Sequence, residues 1–187
     1  MKTKYILHGG FVPQQIPEDD VFYTEILKNA GAHPKILLVY FAKEDDRIPK
    51  NRDEDVVQFK ENKGEQSPSF EVANENDFPE QVQKADIVYL HGGRSSKIIE
   101  TLSRFPNLRQ MFEGKIVVGD SAGANALSSY YYDNHDKRIS DGLAILPIKL
   151  FCHYSKDWET ALHELEKYHP DLEVLALADY QTKILGI

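Results

Sequence analysis

VVGDSAGAN, residues 117–125, runs from apolar residues into a glycine, then places Ser121 one residue further on with Ala-Gly-Ala behind it. A buried strand that turns sharply into a helix has this form. Gly119-Asp120-Ser121-Ala122-Gly123 fits the pattern G-x-S-x-G. In that pattern a serine on a tight strand-to-helix turn projects its Oγ from the sheet edge, and the flanking glycines relieve the crowding. The helix expected at 122–129 aims its N-terminus at the hydroxyl, and its free N–H groups favour negative charge. The N–H of Ala122 is therefore a candidate donor to an oxyanion. Taken alone, the five residues also suit a turn whose serine merely caps a helix. The KIVV run before them and the helix after them favour a nucleophile elbow.

Similar apolar runs recur at Tyr5–Leu7, Ile36–Ala42 and Ile87–Leu90, with almost no charge inside. Strands buried on both faces read this way. Between the runs lie segments with helical spacing: 17–31, 95–105 and 158–168. Alternation of strand and helix predicts an α/β fold, a mostly parallel sheet with helices on both faces. LHGG closes two runs, at 7–10 and 90–93. Both read as strand-to-helix turns on the edge where open α/β sheets place ligands. The charged segment 44–64, with EDD at 44–46 and DED at 53–55, reads as a solvated loop and an exposed helix face. No linker divides the chain, so one domain over 1–187 is expected.

Composition narrows the function. The 187 residues carry a formal net charge of -8, which disfavours nucleic acid and anionic membrane as partners. No stretch approaches the roughly 20 apolar residues of a membrane span. The start, MKTKYILHGGFV, lacks the apolar core of a signal peptide. A single cysteine, Cys152, permits no internal disulfide, and a cytoplasmic location is expected. No Cys/His cluster has zinc spacing, and neither LHGG turn fits a nucleotide-binding pattern. No metal or cofactor is expected. Cys152 adjoins His153, but neighbours on a strand face opposite ways, so the thiol reads as buried and inert.

Ser121 needs a base. His8 and His91 end strands on the proposed edge. His33 and His135 sit in loop-like sequence, and His163 and His169 lie in or after a polar helix. His153 follows LAILPIKLFC, 32 residues after Ser121, where a further strand would end. Spacing alone leaves the base open.

Three stretches add a resemblance: ADIVYLHGGRSSKIIETL (85–102), KIVVGDSAGANAL (115–127) and DGLAILPIKLFCHY (141–154). In that order they resemble the aspartyl dipeptidase and cyanophycinase family of serine peptidases, the S51 group. The resemblance implies a three-layer, flavodoxin-like sheet akin to class I glutamine amidotransferase domains. It also implies a Ser121–His153 pair that hydrolyses a short peptide through an acyl-enzyme. The oxyanion would be held by Ala122 and by the 91–93 turn, through Gly92 or Gly93. For the third member the resemblance prefers Asp179, in a segment where relatives more often show Glu; Asp141 and Asp136 are rivals. Asp120 departs from the family pattern. It reads either as a solvent-facing side chain paired with a lysine or as a negative wall that disfavours acidic substrates. Arg94 opens a helix after the Gly-Gly turn and is a candidate for docking an anionic substrate group. Tyr130–Tyr132 reads as a strand of mixed burial. The chain ends on an apolar strand at Ile187, where the resemblance leads one to expect further strands.

A monomer or homodimer is expected. An α/β-hydrolase, the other owner of G-x-S-x-G, expects the acid before the histidine, and this chain has the reverse order. The second function class is a ligand-binding or sensory protein that keeps the fold and elbow without turnover.

Overall fold

The computed structural model describes residues 2–11 and 17–186. Met1, residues 12–16 and Ile187 lie outside the described residues.

Four of the apolar runs become parallel strands: β1 (Lys4–His8), β2 (Lys35–Val39), β4 (Ile87–Leu90) and β5 (Ile116–Asp120); β3 (Ser69–Val72) joins them at one edge. The helices are α1 (Pro17–Leu27), α2 (Ile48–Glu61), α3 (Phe78–Lys84), α4 (Ser95–Leu102), α5 (Leu108–Met111), α6 (Ala122–Leu127) and α7 (Glu159–Lys167). Pleating sends alternate side chains to opposite faces. Ile6, Leu38, Tyr89 and Val118 meet Phe22, Ile26 and Phe59 of α1 and α2 on one face. Leu7, Val39, Leu90 and Val117 meet Phe78, Ile98 and Leu102 of α3 and α4 on the other. Burial of each large aliphatic side chain contributes about 1.5–3 kcal/mol, so this double-faced pattern holds the three layers together.

The remaining strands are β6 (Tyr130–Asp133), β7 (Arg138–Asp141), β8 (Ile148–Cys152), β9 (Glu173–Leu177) and β10 (Thr182–Gly186). Among the described residues the main sheet has the order β10-β1-β5-β4-β2-β3, with β10 antiparallel on β1. Because β10 occupies that edge, β6 to β9 pair among themselves in a second sheet, β7-β6-β8-β9, which the sequence reading did not separate. Leu150, Cys152 and Leu177 of this sheet join the core on the α4 side of the main sheet. Helix α7 covers its outer face through Ala161 and Leu165 against Tyr132 and Phe151.

Register places the chemistry. His8 lies beside Asp120, and Leu90 beside Gly119, so both LHGG turns and the G-x-S-x-G turn share one edge. Parallel pairing of β8 and β9 sets Cys152 beside Leu177, which carries the residues just after both strands to the same end.

Candidate active site

Ser121 occupies the cap position of α6 with φ 47° and ψ -104°, in the left-handed half of backbone space. Such a conformation costs a non-glycine residue about 1–3 kcal/mol and persists only where its surroundings hold it. Here they do. Ser121 N–H donates to the His8 carbonyl at 3.0 Å, and its own carbonyl accepts from Asn125 N–H at 2.9 Å. The two flanking glycines are required by contact. A Cβ on Gly119 would come within 2.6 Å of the Ala124 backbone, and one on Gly123 within 2.0 Å of the Leu90 carbonyl oxygen.

His153 stands just past β8, also in a left-handed conformation (φ 54°). Its N–H donates to the Gly9 carbonyl at 2.9 Å. Gly10, at φ 116°, lies directly against the ring, and a Cβ there would reach 2.0 Å from Cε1. His153 Nε2 is 2.8 Å from Ser121 Oγ, and Nδ1 is 2.5 Å from Asp179 Oδ1. A carboxylate accepts, so Nδ1 carries the hydrogen and Nε2 is left to accept the serine proton.

Of the three acids considered, Asp179 is the one brought to His153. Asp136 lies among Arg94, Arg138 and His135, and Asp141 pairs across from Tyr130 at the end of β7. Of the other histidines, His163 faces Glu166 at the surface and His169 stacks on Tyr130.

A cleft of about 290 Å³ opens over Ser121 and His153. Gly93, Arg94, Asn125, Tyr132 and His135 help to line it. Arg94 extends its guanidinium to within 3.4 Å of His135 Nε2. Tyr132 is both strand residue and cleft wall, stacked on Phe151. Among the described residues the N–H groups of Gly92 and Gly93 have no hydrogen-bond partner. That of Ala122, in the first turn of α6, has no place in the helix ladder. All three belong to the turns that border Ser121.

Asp120 corrects the sequence reading. Its side chain neither faces solvent beside a lysine nor walls the cleft; the residue is 3% exposed. Asp120 Oδ1 accepts from His8 Nδ1 at 2.9 Å, beneath the elbow. Burial pushes its carboxyl up, but the hydrogen bond and charge of His8, with His91 and His153 nearby, hold it below the usual range. The charged segment 44–64 needs a second correction. Asp55, on α2, is buried and accepts from Tyr23 Oη at 3.0 Å and Tyr40 Oη at 2.7 Å. Burial pushes its carboxyl up, against the opposing pull of His91 and the two hydroxyls. A usable signal was present: Asp55 is the member of DED that shares a helical stripe with Phe59, four residues on. Cys152 is buried, and burial together with the charges of Asp120 and Asp179 pushes its thiol up.

Among the described residues no group of three or more His, Cys, Asp or Glu is placed to hold a metal ion, and no helix is long and apolar enough to cross a membrane.

Known proteins give the arrangement a context. No curated protein matches the chain. The crystal structure of a peptidase from an acI-B1 Actinobacterium superposes with a TM-score of 0.72 at 19% identity, covering 99% of this chain and 84% of its own. A protein from Listeria monocytogenes EGD-e assigned to peptidase E superposes with a TM-score of 0.68 at 15% identity, covering 100% of this chain and 95% of its own. At these identities the likeness speaks to the mostly parallel α/β fold. The model of peptidase family S51 matches residues 22–184, most of the chain including the elbow and the strands after it, and the chain therefore belongs to peptidase family S51.

Proposed function

We propose that the chain is a serine-type exopeptidase, dipeptidase-like, that cleaves a short peptide through an acyl-enzyme on Ser121. The observation that carries this reading is the unbroken line from Ser121 Oγ through the His153 ring to Asp179, with contacts of 2.8 and 2.5 Å. Family membership supplies the peptide bond as substrate class.

Ser121 Oγ attacks the scissile carbonyl carbon while its proton passes to His153 Nε2. Asp179, bonded to Nδ1–H, holds the ring in the required tautomer and offsets the charge that forms on it. The carbonyl oxygen becomes an oxyanion and is received by the N–H of Ala122 and one N–H of the 91–93 turn. Collapse breaks the C–N bond, and the proton on Nε2 leaves with the amine. Water then gives a proton to Nε2 and attacks the acyl ester, releasing the acid and restoring Ser121. The small cleft suits a short substrate, and Arg94 on its rim offers a guanidinium to a substrate carboxylate. Asp120, buried under the elbow, has no contact with substrate in this scheme.

Intact-mass measurement after incubation with a fluorophosphonate tests the pair. A single adduct is expected on the native protein and none on Ser121→Ala or His153→Ala. An unlabelled native protein, or full labelling of His153→Ala, sinks the reading. A dipeptide library then identifies the side chains accepted.

A further inference from the structure

Behind the cleft lies a polar chain that the acyl-transfer scheme leaves unused. Tyr23 and Tyr40 donate to the buried Asp55, and Asp55 Oδ2 lies 3.4 Å from His91 Nε2. On the other side of the ring, His91 Nδ1 is 2.9 Å from the Gly92 carbonyl oxygen. A carbonyl oxygen and a carboxylate both only accept, so in this arrangement the ring presents hydrogen at Nδ1 to Gly92 and at Nε2 to Asp55. The ring itself is packed, with centroids 5.1 Å from Tyr40 and 5.8 Å from Tyr89.

The bond matters because of where it falls. In a trans peptide the C=O and N–H point opposite ways. Drawing the Gly92 oxygen back to His91 turns the N–H of Gly93 away from that ring, and Gly93 is a lining residue of the cleft. Two successive glycines give little local resistance to rotation of that peptide plane. On the far side, Arg94 N–H anchors the turn to the Ala42 carbonyl at 2.9 Å. A donor bonded to the carbonyl also polarises the peptide and strengthens its N–H.

We propose that His91, held by Asp55, is a positioning residue that fixes the Gly92–Gly93 peptide so that the Gly93 N–H serves as the second oxyanion donor. The inference rests on the serine-peptidase reading and narrows its open choice between Gly92 and Gly93.

The test compares second-order rates of fluorophosphonate labelling in the native protein, His91→Phe and His91→Asn. Phenylalanine keeps the ring packing but lacks the donor. Asparagine carries a donor nitrogen at the same reach as Nδ1. Loss of one oxyanion donor slows such reactions by about 10²–10³-fold, so His91→Phe is expected to label at least tenfold more slowly. His91→Asn is expected to recover most of the native rate. Labelling of His91→Phe at the native rate overturns the inference and leaves the peptidase reading intact. Equal slowing in both variants overturns it too, because packing rather than donation is then at stake. An unlabelled native protein removes both. Nitrogen-15 NMR of the unmodified protein gives an independent readout: a proton on His91 Nδ1 is expected, and an unprotonated Nδ1 refutes the inference even if a variant fails to fold.

Discussion

Gly10→Ala is the sharpest probe of the site, because the three atoms nearest to the added methyl group would all belong to the His153 ring. The added Cβ would lie 2.0 Å from Cε1, 2.5 Å from Nε2 and 2.7 Å from Nδ1. Ordinary carbon contacts need about 3.5 Å, so the ring must retreat by roughly 1.5 Å. The Ser121–His153 contact is 2.8 Å, and a shift of that size takes it to about 4 Å, beyond hydrogen-bond reach. Losing a positioned general base costs about 10²–10⁴-fold in rate. The alanine must also adopt φ 116°, which adds backbone strain of about 1–3 kcal/mol. Gly31→Ala separates the two effects. It too requires a positive φ (83°), but nothing lies within 4 Å of its added Cβ. Both variants are expected to lose stability in thermal unfolding. Only Gly10→Ala is expected to lose fluorophosphonate labelling, by at least a hundredfold. Native-rate labelling of a folded Gly10→Ala would refute the assigned ring position and the mechanism built on it.

Ser121→Gly removes the nucleophile but relieves a strained φ of 47°, so it is expected to abolish labelling while raising stability by about 1 kcal/mol after the entropy cost of glycine. For a chain of this size that is a rise in Tm of about 2–4 °C. Asp179→Asn keeps the shape but presents a donor to His153 Nδ1, which favours the wrong tautomer; labelling is expected to fall by up to about 10⁴-fold with Tm little changed. Asp120 has a folded-state pKa below its ordinary 3.8, so between those values the unfolded chain binds more protons. Its contribution is complete above pH 3.8 and is lost as pH falls further. Asp120→Asn is expected to flatten that part of the acid-unfolding curve, followed by circular dichroism. Cys152 is 2% exposed with its thiol pushed up, so a disulfide reagent at pH 8 is expected to leave the folded protein unmodified and react once it is unfolded in urea.

The elbow and the strands around it were legible because their causes are local. A glycine that must clear Leu90 or Ala124 has no substitute, so Gly119 and Gly123 print the turn directly into the sequence. The runs that became β1, β2, β4 and β5 are buried on both faces and show as unbroken apolar stretches. The second sheet is less legible. β7 carries only exposed and half-buried positions and β9 mixes exposed with buried ones, while the edge of the main sheet is closed by β10 through the pairing of Ile6 with Ile184, 178 residues apart. The meeting of His153 with Asp179 likewise depends on β8–β9 register, which no local pattern states.

The buried acids show the limit most clearly. Asp55 and its neighbours Asp53 and Glu54 look identical in a charge count, yet at 3.6 residues per turn their orientations around one helix differ by up to roughly 200°. What decides the fate of Asp55 is a set of partners far apart in sequence: Tyr23 lies 32 residues before it and Tyr40 15 residues before it. His8 and Asp120 are separated by 112 residues. An unpaired buried carboxylate would cost several kcal/mol, so each acid enters the interior only with its partners already in place. Both pairs sit under the edge that carries the proposed site, one beneath the Ser121 elbow and one behind the Gly92–Gly93 turn. A buried charge with fixed partners resists small displacements, since any shift leaves it under-bonded. The two backbone elements that must hold still in the proposed reaction are therefore the ones backed by polar pairs rather than by apolar packing alone.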